Sequence, residues 1–134
     1  MLDPISDMLT RIRNANLAGH SEVFVPLSKL KLAIGDILKK QNFIEKIDEA
    51  EKEGRKFIRI VLKYIKNEKG KKRPYIQGLR RVSREGQRIY AGKGKMPVVK
   101  NGYGFSVVST SKGLMTGTEA KQAGMGGEII CEIW

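Results

Sequence analysis

One cysteine, Cys131, and one histidine, His20, are all the soft metal-binding chemistry the chain has. An intramolecular disulfide is therefore excluded, and a multi-cysteine or Cys/His zinc site has no raw material. Long apolar runs are missing too: no stretch reaches the ~18 residues that a transmembrane helix needs. Asp3 and Asp7 spoil the cationic start of a secretory leader. A cytoplasmic protein with no cofactor and no membrane partner is the expectation. Nucleotide-binding signatures are also absent, since neither G-x-x-x-x-G-K-[ST] nor G-x-G-x-x-G occurs, and "GKGKMP" reads as a solvated basic turn. Acidic residues are scarce, and their densest run is "EKIDEAEKE", which holds five of the 14 and reads as a solvated strand and turn rather than paired carboxylates in an apolar cleft.

Positive charge is plentiful. Lys and Arg total 26 against 14 Asp and Glu, a net charge of +12 with a pI near 10.0, which points to a polyanion and first of all to nucleic acid. The charge is uneven: residues 1–66 hold 13 basic and 9 acidic side chains, residues 67–134 hold 13 and 5. The second half is thus the expected anion-facing half. With 134 residues, 40% of them hydrophobic, the chain can bury a modest core in one domain or two small ones.

Periodicity divides the chain. "LDPISDMLTRIRNANLAG" carries an Asp3 cap, Pro4 at the first helical position, and Ile5, Met8, Leu9 and Ile12 at helical spacing. Arg11 and Arg13 lie off that stripe. The strand "EVFVP" follows, then a second helix in "SKLKLAIGDILKKQN", capped by Ser28, with Leu30, Ala33, Ile34, Ile37 and Leu38 as its buried face and Gly35 as its weak point. "NFIEKIDEAEKEGRKFIRIVLKYI" reads as two antiparallel strands around a charged tip. "KNEKGKKRP" holds no apolar residue; Lys69, Lys71, Lys72 and Arg73 read first as a solvated loop and second as phosphate contacts. Beyond it, "YIQGLRRVS", "QRIYAG", "GFSVVSTS" and "GEIICEIW" look like short strands, and Thr116 with Glu119 forms a capping box opening the helix "TEAKQA". The fold class expected is α+β in two small packed domains. Residues 1–66 would form an α-β-α-β-β domain, 67–74 a basic linker or hairpin, and 75–134 a mostly antiparallel β, RNA-binding domain with one short helix.

The densest cluster of polar chemistry is "STSKGLMTGTEAKQAGMGGE". Ser109 and Lys112 spell S-x-x-K, the signature of a serine hydrolase, but the S-D-N and K-T-G partners are missing. Ser109 also falls at a strand end, where residues i and i+3 face opposite ways. A nucleic-acid clasp accounts for the composition better. Small hydroxyls reach phosphate, ribose or base edges, Lys112 supplies charge, and glycines permit close backbone approach. Irregular or single-stranded RNA suits this better than duplex DNA, because no helix carries a dense polar row for a major groove. Glu128 could accept from RNA donors, orient Lys112, or cap nearby amides. Tyr90, flanked by Arg88 and Lys93, could stack on a base or pack at the sheet rim. Trp134 reads as an anchor closing the last strand, and Cys131 as a buried small hydrophobe.

These stretches together resemble the bacterial small-subunit ribosomal protein eight family. The resemblance runs from "DPISDMLTRIRNAN" through "SKLK", "FIEK", "LKY", "RVSREGQRIY" and "NGYGF" to "STSKGLMT", "EAKQAGMGGE" and the final "W". It implies a non-enzymatic component of the small ribosomal subunit that binds the central domain of 16S ribosomal RNA early in assembly. It also implies ribosomal protein neighbours and, in some members, translational repression through the protein's own messenger RNA. The family's RNA-binding loop falls on Ser109, Thr110, Ser111, Lys112 and Gly113, with Gly126, Gly127 and Glu128 beside it. Tyr90 and Arg88 lie in its R-x-Y element, and Lys29 and Lys31 in its S-K-x-K element. Three departures stand out: Glu85 where proline is usual, Gly117 and Thr118 where Asp and a basic residue are common, and Glu132 for a frequent tyrosine. The first is expected to loosen a turn, the second to weaken helix entry.

Overall fold

The structure, a computed structural model, describes residues 3–134. Two compact units are present, Met1–Gln77 and Gly78–Trp134. In the first, α1 (Pro4–Ala18), β1 (Glu22–Pro26), α2 (Lys29–Lys40), β2 (Ile44–Lys52) and β3 (Arg55–Leu62) follow in that order, and then a small hairpin of β4 (Tyr64–Lys66) and β5 (Lys72–Pro74). The second contains β6 (Leu79–Arg81), β7 (Tyr90–Ala91), β8 (Phe105–Thr110), β9 (Gly113–Thr116), α3 (Gly117–Gln122) and β10 (Gly127–Ile133). The α+β class and the α-β-α-β-β order are as expected.

Local chemistry sets the helix ends. Asp3 Oδ1 accepts from the Ile5 and Ser6 amides at 3.0 and 3.1 Å, Pro4 needs no donor partner, and Gly19 closes α1 in the left-handed region at φ 72°. Ser28 accepts from the Lys31 amide, and Lys39 and Lys40 lie at the negative end of α2. The buried face of α2 differs from the expected one. Leu30 is 43% exposed, whereas Lys31 is 6% exposed and lies on the buried face with Ile34, Gly35, Ile37 and Leu38. Leu30 sits in the first turn, one residue out of phase with that face, and the aliphatic stem of Lys31 fills the place instead. Gly35, the weak point by helix propensity, also has a packing use: the tip of Ile47 from β2 occupies the space where its Cβ would lie.

The first sheet is antiparallel in the order β1-β3-β2, and Ile58, Ile60 and Leu62 of β3 alternate inward against Ile5, Met8, Leu9, Ile12, Ile34 and Leu38. Its other face carries Arg59, whose Nε donates to Glu22 at 2.6 Å and Nη1 to Asp48 at 3.1 Å, one cation joining both flanking strands. The β2–β3 turn, Glu53-Gly54, has both central φ angles positive at 53° and 77°, as a two-residue hairpin of this twist demands.

The second sheet runs β6-β10-β8-β9 with β7 also paired to β10, all antiparallel. Val107 and Val108 are both fully buried, so β8 is covered on both faces. The Thr116/Glu119 capping box opens α3, and both of its bonds are present with Gly117 and Thr118 between them. The turn at Glu85 is likewise closed, with Arg84 and Gln87 exchanging backbone hydrogen bonds at 2.9 Å. Trp134 does anchor the last strand: Gly78 and Trp134 exchange backbone bonds, and a Cβ at Gly78 would strike the indole. Cys131 is fully buried, and burial pushes its thiol up to about 12.

Candidate nucleic-acid interface

Strand register assembles the cluster. Glu128 of β10 lies opposite Ser109 of β8 on one side and Tyr90 of β7 on the other, so the three side chains share one face at one level of the sheet. Ser109 also faces Leu114 of β9. The β8–β9 connection is a two-residue turn, Ser111-Lys112, closed by the Thr110–Gly113 pair. Thr110 is spent on holding that turn: its hydroxyl donates to the Gly113 carbonyl at 2.8 Å and accepts from the Lys112 amide at 3.1 Å. Gly113 adopts φ 107°, a conformation that a side chain would resist. The result is a braced tip that leaves Ser111 and Lys112 exposed. Gly113 opens β9.

The glycines before Glu128 have a specific use. A Cβ on Gly127 would strike the Ser109 carbonyl, and one on Gly126 would lie 2.7 Å from the Ala91 carbonyl. The close approach they permit is between β10 and its neighbours β8 and β7, and it draws the Ser109 and Tyr90 strands tightly around Glu128.

Glu128 is not bonded to Lys112. Its Oε2 accepts from Arg88 Nη1 at 3.2 Å, and the carboxylate side chain is 18% exposed. Of the roles left open for Glu128, orienting Lys112 is not the one seen: its partner is Arg88. Tyr90 is not rim packing either, since it stands 69% exposed beside this pair. A residue that sequence pattern missed fixes its position. Ser83 is fully buried; its hydroxyl donates to the Ile89 carbonyl at 3.1 Å and accepts from the Ile89 amide at 2.8 Å. Those bonds clamp the 83–89 loop, so that Arg88 and Tyr90 leave it in register with Glu128. The serine of "RVSREGQRIY" was the visible signal, though its partner six residues on was not.

Acidic charge in this unit is largely neutralised from within. Glu119 is held by the helix cap, Glu128 by Arg88, and Glu132 by Arg80 at 2.8 Å. Arg84, Lys93, Lys95, Lys112 and Lys121 remain exposed. In the other unit, Lys29 is exposed while Lys31 is buried. Burial lowers the Lys31 pKa, Asp7 opposes the shift, and Arg11 adds to it. Among the described residues, no group of three or more His, Cys, Asp or Glu could hold a metal ion, and no helix is long and apolar enough to cross a membrane.

A family model described as Ribosomal protein S8 matches residues 3–134. The chain is 49% identical over 134 residues to the small ribosomal subunit protein uS8 of Sorangium cellulosum, covering 100% of this chain and 99% of that protein. Identity to the uS8 of Nitratidesulfovibrio vulgaris is 49% with the same coverage, and to that of Caldanaerobacter subterraneus 48%, covering 98% of the relative.

Proposed function

The chain belongs to the ribosomal protein S8 family and is a component of the small ribosomal subunit, and we propose that it binds the central domain of 16S ribosomal RNA directly and early in assembly. It works on the ribosome in the cytoplasm, beside other small-subunit proteins. The observation that carries the RNA-binding reading is the shared level of Ser109, Glu128 and Tyr90 across three strands, next to an exposed cationic turn. On this reading Ser109, Ser111 and Lys112 meet phosphate and ribose, and Tyr90 offers a face for one unstacked base. Glu128, held by Arg88, accepts from a base or sugar donor. Thr110, Gly113, Gly126 and Gly127 give the surface its shape. Lys29 adds charge from the S-K-x-K element, with Lys31 behind it. A messenger RNA presenting the same fold would occupy the same surface, which makes translational repression a second use of one site.

We assign the protein no catalytic step. Ser109 lies in a strand and Lys112 in a turn, whereas an S-x-x-K nucleophile and its base share one helix face.

The test is binding of the full chain to a central-domain fragment of 16S ribosomal RNA, measured against salt and against unrelated RNA of equal length. Selective binding that weakens steeply with salt is expected, and Lys112→Ala should reduce it roughly tenfold or more, as loss of a charged hydrogen bond does. Equal affinity for both RNAs would overturn the proposal. Co-sedimentation with purified small subunits checks the assembly role separately.

A further inference from the structure

The most cationic segment of the chain lies outside the surface just described. Between Lys66 and Arg73 stand Lys66, Lys69, Lys71, Lys72 and Arg73, all exposed, with Glu68 as the sole acid. Its composition left a linker or a hairpin open, with its cations read first as a solvated loop. It is a built hairpin. Tyr64, Ile65 and Lys66 pair with Pro74, Arg73 and Lys72. The tip is tied by one side chain, Asn67, whose Oδ1 accepts from the Lys69 and Lys71 amides at 3.0 and 2.9 Å. Backbone bonds from Asn67 to Lys71 and from Gly70 to Asn67, both 2.9 Å, complete it, with Gly70 at φ 77°.

The base is fixed as firmly. The Tyr75 amide donates to the Lys63 carbonyl at 2.9 Å, and the Tyr75 ring meets Phe43 edge-on at 5.1 Å. Lys63 bonds the Asn42 carbonyl at 3.0 Å and lies 4.4 Å above the Tyr75 ring. Lys63 is thereby committed to the fold. The five exposed cations are not: none forms an ion pair among the described residues.

Electrostatics makes this arrangement costly for the isolated chain. Lys66 and Lys72 are direct cross-strand partners, a placement in which like charges repel. A hydrogen-bonded ribbon that presents unpaired cations has little folding rationale. It is what a polyanion with regularly spaced charges would reward.

We propose that the β4–β5 hairpin is a second RNA contact, a sequence-independent clamp on the phosphate backbone that supplements the selective surface around Ser109 and Glu128. This inference rests on the RNA-binding reading above. RNA is favoured over an acidic protein because the segment offers no exposed aromatic or apolar anchor, only spaced cations on a twisted ribbon.

The test replaces Lys66, Lys69, Lys71 and Lys72 together by Gln and compares the full-length variant with wild type. Both are titrated with the central-domain RNA fragment and with unrelated RNA across a salt series. Circular dichroism and the thermal midpoint confirm an intact fold. If three of the lysines meet phosphates, the slope of log K against log salt becomes shallower by about 2 to 3 units; between about 50 and 200 mM salt the wild-type loss of affinity then shrinks roughly 15- to 60-fold in the variant. The preference for the specific RNA over the unrelated one should survive. An unchanged slope with selectivity retained overturns the hairpin contact alone and assigns its charge to another anion. Loss of selectivity with an unchanged slope overturns it as well, because the hairpin would then be reading rather than clamping. If the wild type itself shows no selectivity, the RNA-binding proposal and this one fall together.

Discussion

Ser106 and Gly117 should behave as one coupled pair. Ser106 is 2% exposed on β8, and its Oγ has no hydrogen-bond partner among the described residues. A hydroxyl buried in that way costs about 1–3 kcal/mol. Ser106→Ala removes it without opening more than the volume of one oxygen, so a gain of about 1 kcal/mol is expected, or roughly 3–6 °C in Tm for a chain of this size. Gly117, at the first turn of α3, faces the same oxygen: an added Cβ would collide with Ser106 Oγ, yet it would lie 3.8 Å from Ser106 Cβ, an ordinary contact. Gly117→Ala alone should therefore destabilise by about 1–3 kcal/mol through overpacking. In the Ser106→Ala background the obstacle is gone, and the better helix propensity of Ala should leave the substitution neutral or favourable by up to about 1 kcal/mol. The coupling energy of the cycle is then about 1–3 kcal/mol. Urea unfolding followed by the fluorescence of Trp134, the single tryptophan, reports on the unit that contains both residues. Equal effects of Gly117→Ala in the two backgrounds would refute the reasoning, as would a Ser106→Ala protein no more stable than wild type.

Cys131, with its thiol raised to about 12 by burial, should not react with a disulfide reagent at pH 8 until the chain unfolds. An unfolded thiol ionises from its ordinary value of 9.0 upward while the folded one stays protonated, so wild type should lose about 1.4 kcal/mol per pH unit relative to Cys131→Ala between roughly pH 9 and 12, measured by urea midpoints. Lys31 has a pKa lowered chiefly by burial, so its ammonium costs stability below the folded value and the cost fades as pH rises towards 10.5. Lys31→Met should accordingly be more stable than wild type at pH 7, and the two should converge at alkaline pH in thermal scans. Ser83→Ala strips the Ile89 amide of its buried acceptor and should cost about 1–3 kcal/mol. Selective RNA affinity in a filter-binding assay should fall with it, although Ser83 has no exposed surface to touch RNA.

Local signals were readable because their chemistry is local. Asp3 with Pro4, Ser28, and the Thr116/Glu119 pair each satisfy helix-end amides within three residues, and each opened a helix where the sequence said it would. The phase of α2 was harder. Apolar identity marked Leu30 as buried, but the face is set by packing against β2, where Gly35 admits Ile47, and the Lys31 stem then takes the adjacent place. The β4–β5 hairpin was legible only as one of two forms, linker or hairpin, for a different reason. It contains almost no apolar alternation, and its order comes from Asn67 bonding the tip and Tyr75 fixing the base, contacts that composition does not encode.

The candidate site shows the same division between local and long-range information. Ser109 could be placed at a strand end from its own neighbourhood, and the family resemblance put Ser111, Lys112 and Gly113 in the loop that follows. The Arg88–Glu128 pair spans 40 residues and exists only because β7 and β8 flank β10 in one register. The two glycines before Glu128 then acquire their meaning. In a sequence they suggest backbone laid open to a ligand; in the sheet they let three strands close up so that a carboxylate, a serine and an exposed tyrosine stand level. Rigidity of that kind suits the recognition of RNA shape, because ordering entropy settled during folding is not charged again at binding. On the RNA-binding reading proposed above, selectivity would fall to the face of Ser109, Glu128 and Tyr90, and charge neutralisation to the exposed lysines of the hairpin, whose geometry need only match the spacing of phosphates.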